Sequence, residues 1–125
     1  MQVHDSAVNS LCYNQDESHL LSCSDDGTLH ILNLQTMEMV CKMVGHTDAV
    51  NDACYTNDGY GIISVSSDRT LRVWNATFGH ALVTFGCGKD EVMSIDVAPD
   101  NAWSVVTSGK DGILRFWSID FESYY

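Results

Sequence analysis

Apolar positions along the chain gather into short runs of about five to seven residues, rich in Val, Ile, Leu and aromatics. Turn-forming strings separate them: Asp26-Gly27, Asn57-Asp58-Gly59, Pro99-Asp100-Asn101 and Asp111-Gly112. No window keeps the i, i+3, i+4, i+7 apolar stripe of a helix. The pattern predicts an all-β chain of hairpins. Inner strands are expected near 7–13, 49–55 and 91–97, and second strands near 19–24, 61–66 and 103–108. Third strands are expected near 28–34, 70–75 and 113–118, and outer strands near 38–43 and 80–85.

The runs repeat. Asp26, Asp68 and Asp111 stand at the centre of three turn strings and lie 42 and 43 residues apart. Before them come Leu20-Leu21-Ser22-Cys23, Ile62-Ile63-Ser64-Val65 and Val105-Val106-Thr107-Ser108. After them come Leu29-His30-Ile31-Leu32, Leu71-Arg72-Val73-Trp74 and Leu114-Arg115-Phe116-Trp117. Four antiparallel strands in a period of this length match one blade of a β-propeller. Gly45-His46, Ser64, Asp68 and Trp74-Asn75 resemble the WD-repeat signature, with Asn75 where that family usually has Asp. The resemblance makes 1–125 a single propeller segment of about three blades, with repeats at 4–43, 46–85 and 88–119. The third repeat lacks its outer strand, since only Phe121-Glu122-Ser123-Tyr124-Tyr125 follow the expected third strand and Asp120.

The resemblance also implies a hydrogen-bonded tetrad in each repeat. Carried over by position, it is complete in repeat 2 as His46, Ser64, Asp68 and Trp74. Repeat 1 supplies His4, Ser22 and Asp26, with Leu32 in the Trp position. Repeat 3 supplies Thr107, Asp111 and Trp117, with Gly88 in the His position. A buried carboxylate is tolerated when hydrogen-bonded, and imidazole, hydroxyl and indole N–H can form one connected chain of donors. Leu32 is expected to end that chain early, and Gly88 to cut the link to Asp111.

Composition narrows the function classes. Seventeen acidic against six basic side chains give a net charge of −11, and the cations never form a basic stripe. Nucleic acid and anionic membrane are therefore not expected as partners. The start Met1-Gln2-Val3-His4-Asp5 has no leader pattern, and no apolar run reaches the ~18 residues of a membrane span. An intracellular location, cytoplasmic or nuclear, is the expectation. Cys12, Cys23, Cys41, Cys54 and Cys87 show no C-x-x-C spacing and read as reduced core thiols. Trp103 reads as a core residue opening a strand.

No spacing supports chemistry. Ser64 lies mid-strand without a nucleophile elbow, the five histidines show no metal-ligand spacing, and no glycine-rich phosphate loop occurs, so no cofactor or metal is expected. What remains is a surface. The resemblance points to the face carrying the turns beside the tetrad: Ser6, Asp48 and Asp90 before the inner strands, and Asp25, Ser67 and Lys110 before the turn aspartates. It adds Arg69 as an exposed cation. The expected function is a non-enzymatic scaffold binding other proteins or peptides. One alternative is a chromatin-associated reader of histone peptides, because the stretch from Val44-Gly45-His46 through Ser64-Val65-Ser66-Ser67-Asp68 to Leu71-Arg72-Val73-Trp74-Asn75, then Phe85-Gly86 and Asp90-Glu91-Val92, is also similar to the Polycomb-group embryonic ectoderm development subunits. Another is a regulatory propeller fused to a catalytic domain. Three repeats cannot close a ring, so the rest of a parent chain or another chain is expected to complete it.

Overall fold

The computed structural model describes residues 1–98 and 104–124, without the side chains of Phe121 and Glu122. Trp103 and the turn expected at 99–101 lie outside the described residues. Eleven strands form three antiparallel sheets among the described residues. Blade 1 holds β1 (Val8–Tyr13), β2 (His19–Ser24), β3 (Thr28–Asn33) and β4 (Glu38–Val44). Blade 2 holds β5 (Val50–Tyr55), β6 (Gly61–Ser66), β7 (Thr70–Asn75) and β8 (Ala81–Gly86). Blade 3 holds β9 (Val92–Val97), β10 (Ser104–Gly109) and β11 (Leu114–Ser118), ordered β11-β10-β9. A 3₁₀ turn, Phe121–Tyr124, follows.

Each blade begins with the same irregularity. The pairing slips at Asn9, Asn51 and Met93, so each inner strand carries a bulge one residue after its first Val. A bulge re-aims a side chain out of the strand's alternation. Asn9 and Asn51 use it to reach the next blade: their amides donate to the carbonyls of Val50 and Val92 at 2.9 and 2.7 Å. Inner strands thus pack in sequence, β1 on β5 and β5 on β9.

Alternation along the strands sends neighbouring residues to opposite blade faces. One core lies between blades 1 and 2, with Leu21, Leu29, Ile31 and Met43 against Val50, Ile62 and Trp74. A second lies between blades 2 and 3, with Ile63, Val65, Leu71 and Val73 against Val92 and Val105. Strand β6 is buried at all six positions because both faces are covered. The outward faces of blades 1 and 3 are open, and Leu11, Leu114 and Phe116 are exposed on them.

Candidate functional site

The turn between the second and third strands organises one end of every blade. In repeat 2 the indole N–H of Trp74 donates to Ser64 Oγ at 2.8 Å. The Ser64 hydroxyl lies 2.6 Å from His46 Nε2, and His46 Nδ1 lies 2.7 Å from Asp68 Oδ2. With the proton on Nδ1, every group in this chain donates to the next. Thr70 Oγ1 and the amides of Thr47 and Thr70 complete the shell around Asp68, whose side chain is 3% exposed. Burial alone would raise the Asp68 carboxyl; Thr70, His46 and Thr47 outweigh it and hold the group below the usual carboxylate range. Burial lowers His46 and so favours the neutral ring.

Repeat 1 makes the same bonds up to its missing indole. His4 lies 2.8 Å from Ser22 Oγ and 3.1 Å from Asp26 Oδ2. Against the pull of burial, Thr28 and the amide of Asp5 lower the Asp26 carboxyl. Leu32 offers no donor, so Ser22 lacks the N–H that Ser64 receives. Repeat 3 departs from the sequence expectation. Trp117 Nε1 donates to Thr107 Oγ1 at 3.1 Å, but Asp111 is not left alone: Arg115 donates to it at 3.1 Å. Gly88 makes this possible. A Cβ there would sit 2.7 Å from Arg115 Nη2, so the guanidinium fills the space that imidazole takes in the other repeats. The result is two separate pairs in place of one chain.

Arg115 shares its strand position with Arg72 and His30. Arg72 Nε and His30 Nδ1 are buried without a hydrogen-bond partner among the described residues. His30 meets His4 edge-on, with ring centroids 4.5 Å apart. Burial lowers His30, with His4 adding to it.

Ser64 is wholly buried and Thr107 nearly so, while His4 and Ser22 of repeat 1 line a pocket on the outward face of blade 1. Among the described residues no three His, Cys, Asp or Glu side chains converge as metal ligands, and no helix is long and apolar enough to cross a membrane. What the turns present outward is different. Ser6, Asp25, Asp48, Arg69 and Lys110 are exposed, and Ser67 and Asp90 are half-buried. Backbone bonds fix them in pairs: Asp25 N–H donates to Ala7, Ser67 to Ala49 and Lys110 to Glu91. Asn9 and Asn51 reach Asp25 and Ser67 at 2.8 and 3.0 Å, and Lys110 pairs with Glu91 at 3.0 Å. Asp48 and Asp90 fold back on the amides that follow them. Arg69 adopts φ +71°, where the matching residues Gly27 and Gly112 lie at +83° and +79°. Asn9, Asn51 and Glu91 carry no chemical motif in the sequence; the recurrence of Asn9 at Asn51 is the one signal there of a shared role.

Antiparallel blades stacked around inner strands, two of them four-stranded among the described residues and one carrying a complete His–Ser–Asp–Trp network, define a β-propeller module. The family model described as "WD domain, G-beta repeat" matches residues 1–33, 37–75 and 79–118, and the chain belongs to that family. Two of these units, 37–75 and 79–118, take the outer strand of one sheet with the first three of the next, so the sequence repeat stitches adjacent blades together. The fold is similar to the crystal structure of the WD40 β-propeller domain of Doa1, with a TM-score of 0.84 and 24% identity. That match covers 98% of this chain and 40% of the other. No curated protein matches.

Proposed function

We propose that the chain is a non-enzymatic scaffold that docks proteins or peptides on the turn face, within a larger protein or assembly. One observation carries the reading: outward-pointing side chains stand on turns whose backbones are held by the tetrads and by inter-blade amides. Such a surface is pre-ordered, so docking loses little entropy. WD-repeat propellers are generally interaction platforms, and three blades leave two faces for further blades to cover.

Charge indicates the ligand class. Asp5, Asp25, Asp48, Asp90 and Glu91 crowd this end of the molecule, with Arg69 and Lys110 among them. A segment bearing Lys or Arg would be steered to it, and Arg69 would fix its register through a carboxylate or carbonyl. The turn segments around residues 4–7, 24–28, 45–49, 66–70, 87–91 and 109–113 hold no Phe, Tyr or Trp. They offer no walls for a methyl-lysine cage. The test is capture of partners by the whole chain, beside a variant carrying Asp25→Ala, Asp48→Ala and Arg69→Ala. Partners held by the native chain and lost by the variant are expected; identical captured sets would sink the proposal.

A further inference from the structure

Third and outer strands pair across the same bulge in two blades, at Val40 in blade 1 and Leu82 in blade 2. The extra residue turns its side chain toward the following blade. Its surroundings then differ. Leu82 packs on the second core, which also takes in Ile119, 4% exposed, and Tyr124 from the 3₁₀ turn. Val40 is 45% exposed and lines a pocket of about 310 Å³ between blades 1 and 2. Ala76 and Ala81 follow Trp74 at the same spacings at which Ile119 and Tyr124 follow Trp117. The chain therefore covers one junction with its own large apolar side chains and leaves the matching place at the other junction open.

The open pocket lies at the end of the blades opposite the turn face. Ile31, Val40, Ala76 and Tyr55 give it apolar walls. Two hydrogen-bond donors join them. Asn14 Nδ2 donates to Ser18 Oγ at 3.0 Å, and Ser18 Oγ lies 2.7 Å from His19 Nδ1. The Ser18 proton therefore goes to Nδ1, and the neutral ring of His19, part of the pocket lining, keeps its own proton on Nε2. Neither that N–H nor the Tyr55 hydroxyl has a hydrogen-bond partner among the described residues. Burial raises the Tyr55 hydroxyl above its ordinary range, so it stays a donor. No carboxylate, Lys or Arg lines the pocket.

We infer that this pocket takes one aromatic side chain of a partner peptide, whose backbone carbonyls accept from His19 Nε2 and the Tyr55 hydroxyl. Tyr124 at the second junction shows the size and kind of group that covers such a place. The volume stands at the lower end of the roughly 300–1,000 Å³ of ligand sites, which suits one large side chain. A neutral carbonyl fits the donor pair better than a carboxylate does, because the chain carries a net charge of −11. Asp25, Asp48 and Arg69 stand at the other end of the blades, so the inference holds whether or not that face docks a partner.

A nuclear magnetic resonance titration of the whole chain tests it, with capped glycyl-tyrosyl-glycine as the probe beside its leucyl and all-glycine analogues. The tyrosyl peptide should give saturable shifts at the amides of Gly59, Ala76 and Thr77 below about 10 mM. The leucyl analogue should bind at least about threefold more weakly, and the all-glycine one should give no saturable shift. Ala76→Ile, which borrows the residue of blade 3, should fill the pocket and weaken binding about tenfold or more. Tyr55→Phe keeps the ring and removes one donor, so it should weaken binding about twofold to tenfold. Circular dichroism shows which variants keep their strands. No saturable shift, shifts away from these amides, an equal response to all three peptides, or undiminished binding by either folded variant would each overturn the inference. The combined Asp25, Asp48 and Arg69 variant touches none of this lining and should bind the peptide as the native chain does, so the two sites are judged separately.

Discussion

Asp68 accepts from a ring, a hydroxyl and two amides while almost none of its side chain meets water. Removing it strands those donors, so Asp68→Ala is expected to cost about 1–3 kcal/mol. Asp26 makes similar bonds at 13% side-chain exposure and in a network without its indole, so Asp26→Ala should cost less. Asp111 pairs with Arg115 in the open and should matter least. Denaturant midpoints of the three variants check the order; equal midpoints would refute it. Arg69 gives an opposite case. Its left-handed backbone strains any residue with a Cβ, while glycine there adds freedom to the unfolded chain. On balance Arg69→Gly should raise stability by up to about 1 kcal/mol, and it should weaken partner capture in the same preparation. A lowered melting temperature would show that the guanidinium makes contacts worth more than the strain.

Strands were the most legible part of the molecule, because three copies of one apolar pattern fix each other's bounds. Strand β2 coincides with the expected 19–24, and β9 starts one residue later than expected. Side chains that cross between elements were not legible in the same way. The pairing of Arg115 with Asp111 depends on a guanidinium folding back over Gly88, and a missing His in the sequence announces only a loss. The cysteines show the same limit: Cys23 and Cys87 are buried, but Cys12, Cys41 and Cys54 are half-buried at a blade junction, a distinction apolar runs do not encode. Burial pushes the Cys23 and Cys54 thiols up to about 12 and the Cys87 thiol up to about 11. These three should resist a thiol-reactive dye in the native chain and react after unfolding. Rapid native labelling of Cys54 would contradict the packing of β5 on its neighbours.

At the scale of the molecule, the tetrads tie stability to acid. His46 and His30 have ring pKa values lowered by burial from an ordinary 6.5. The unfolded chain takes up protons near that value when the folded one does not, so stability falls as pH drops through 6.5. Asp26 and Asp68 act lower down, their contribution full above 3.8 and lost as pH falls further toward their depressed folded values. Melting temperature should therefore decline between pH 7.5 and 5.5 and fall again in stronger acid. A flat profile across the first interval would mean that the histidines stay solvated.

Strand β6, covered on both sides, also sets a clock. In an array where each sheet leans only on its neighbours, opening starts at the ends and moves inward. Deuterium should enter the amides of β1 and β11 first and those of β6 last, with β5 and β7 between. Uniform uptake across the three sheets would mean that the stack opens as one body. A graded front would make the middle sheet the reservoir of order, and the last part of the chain to forget its shape.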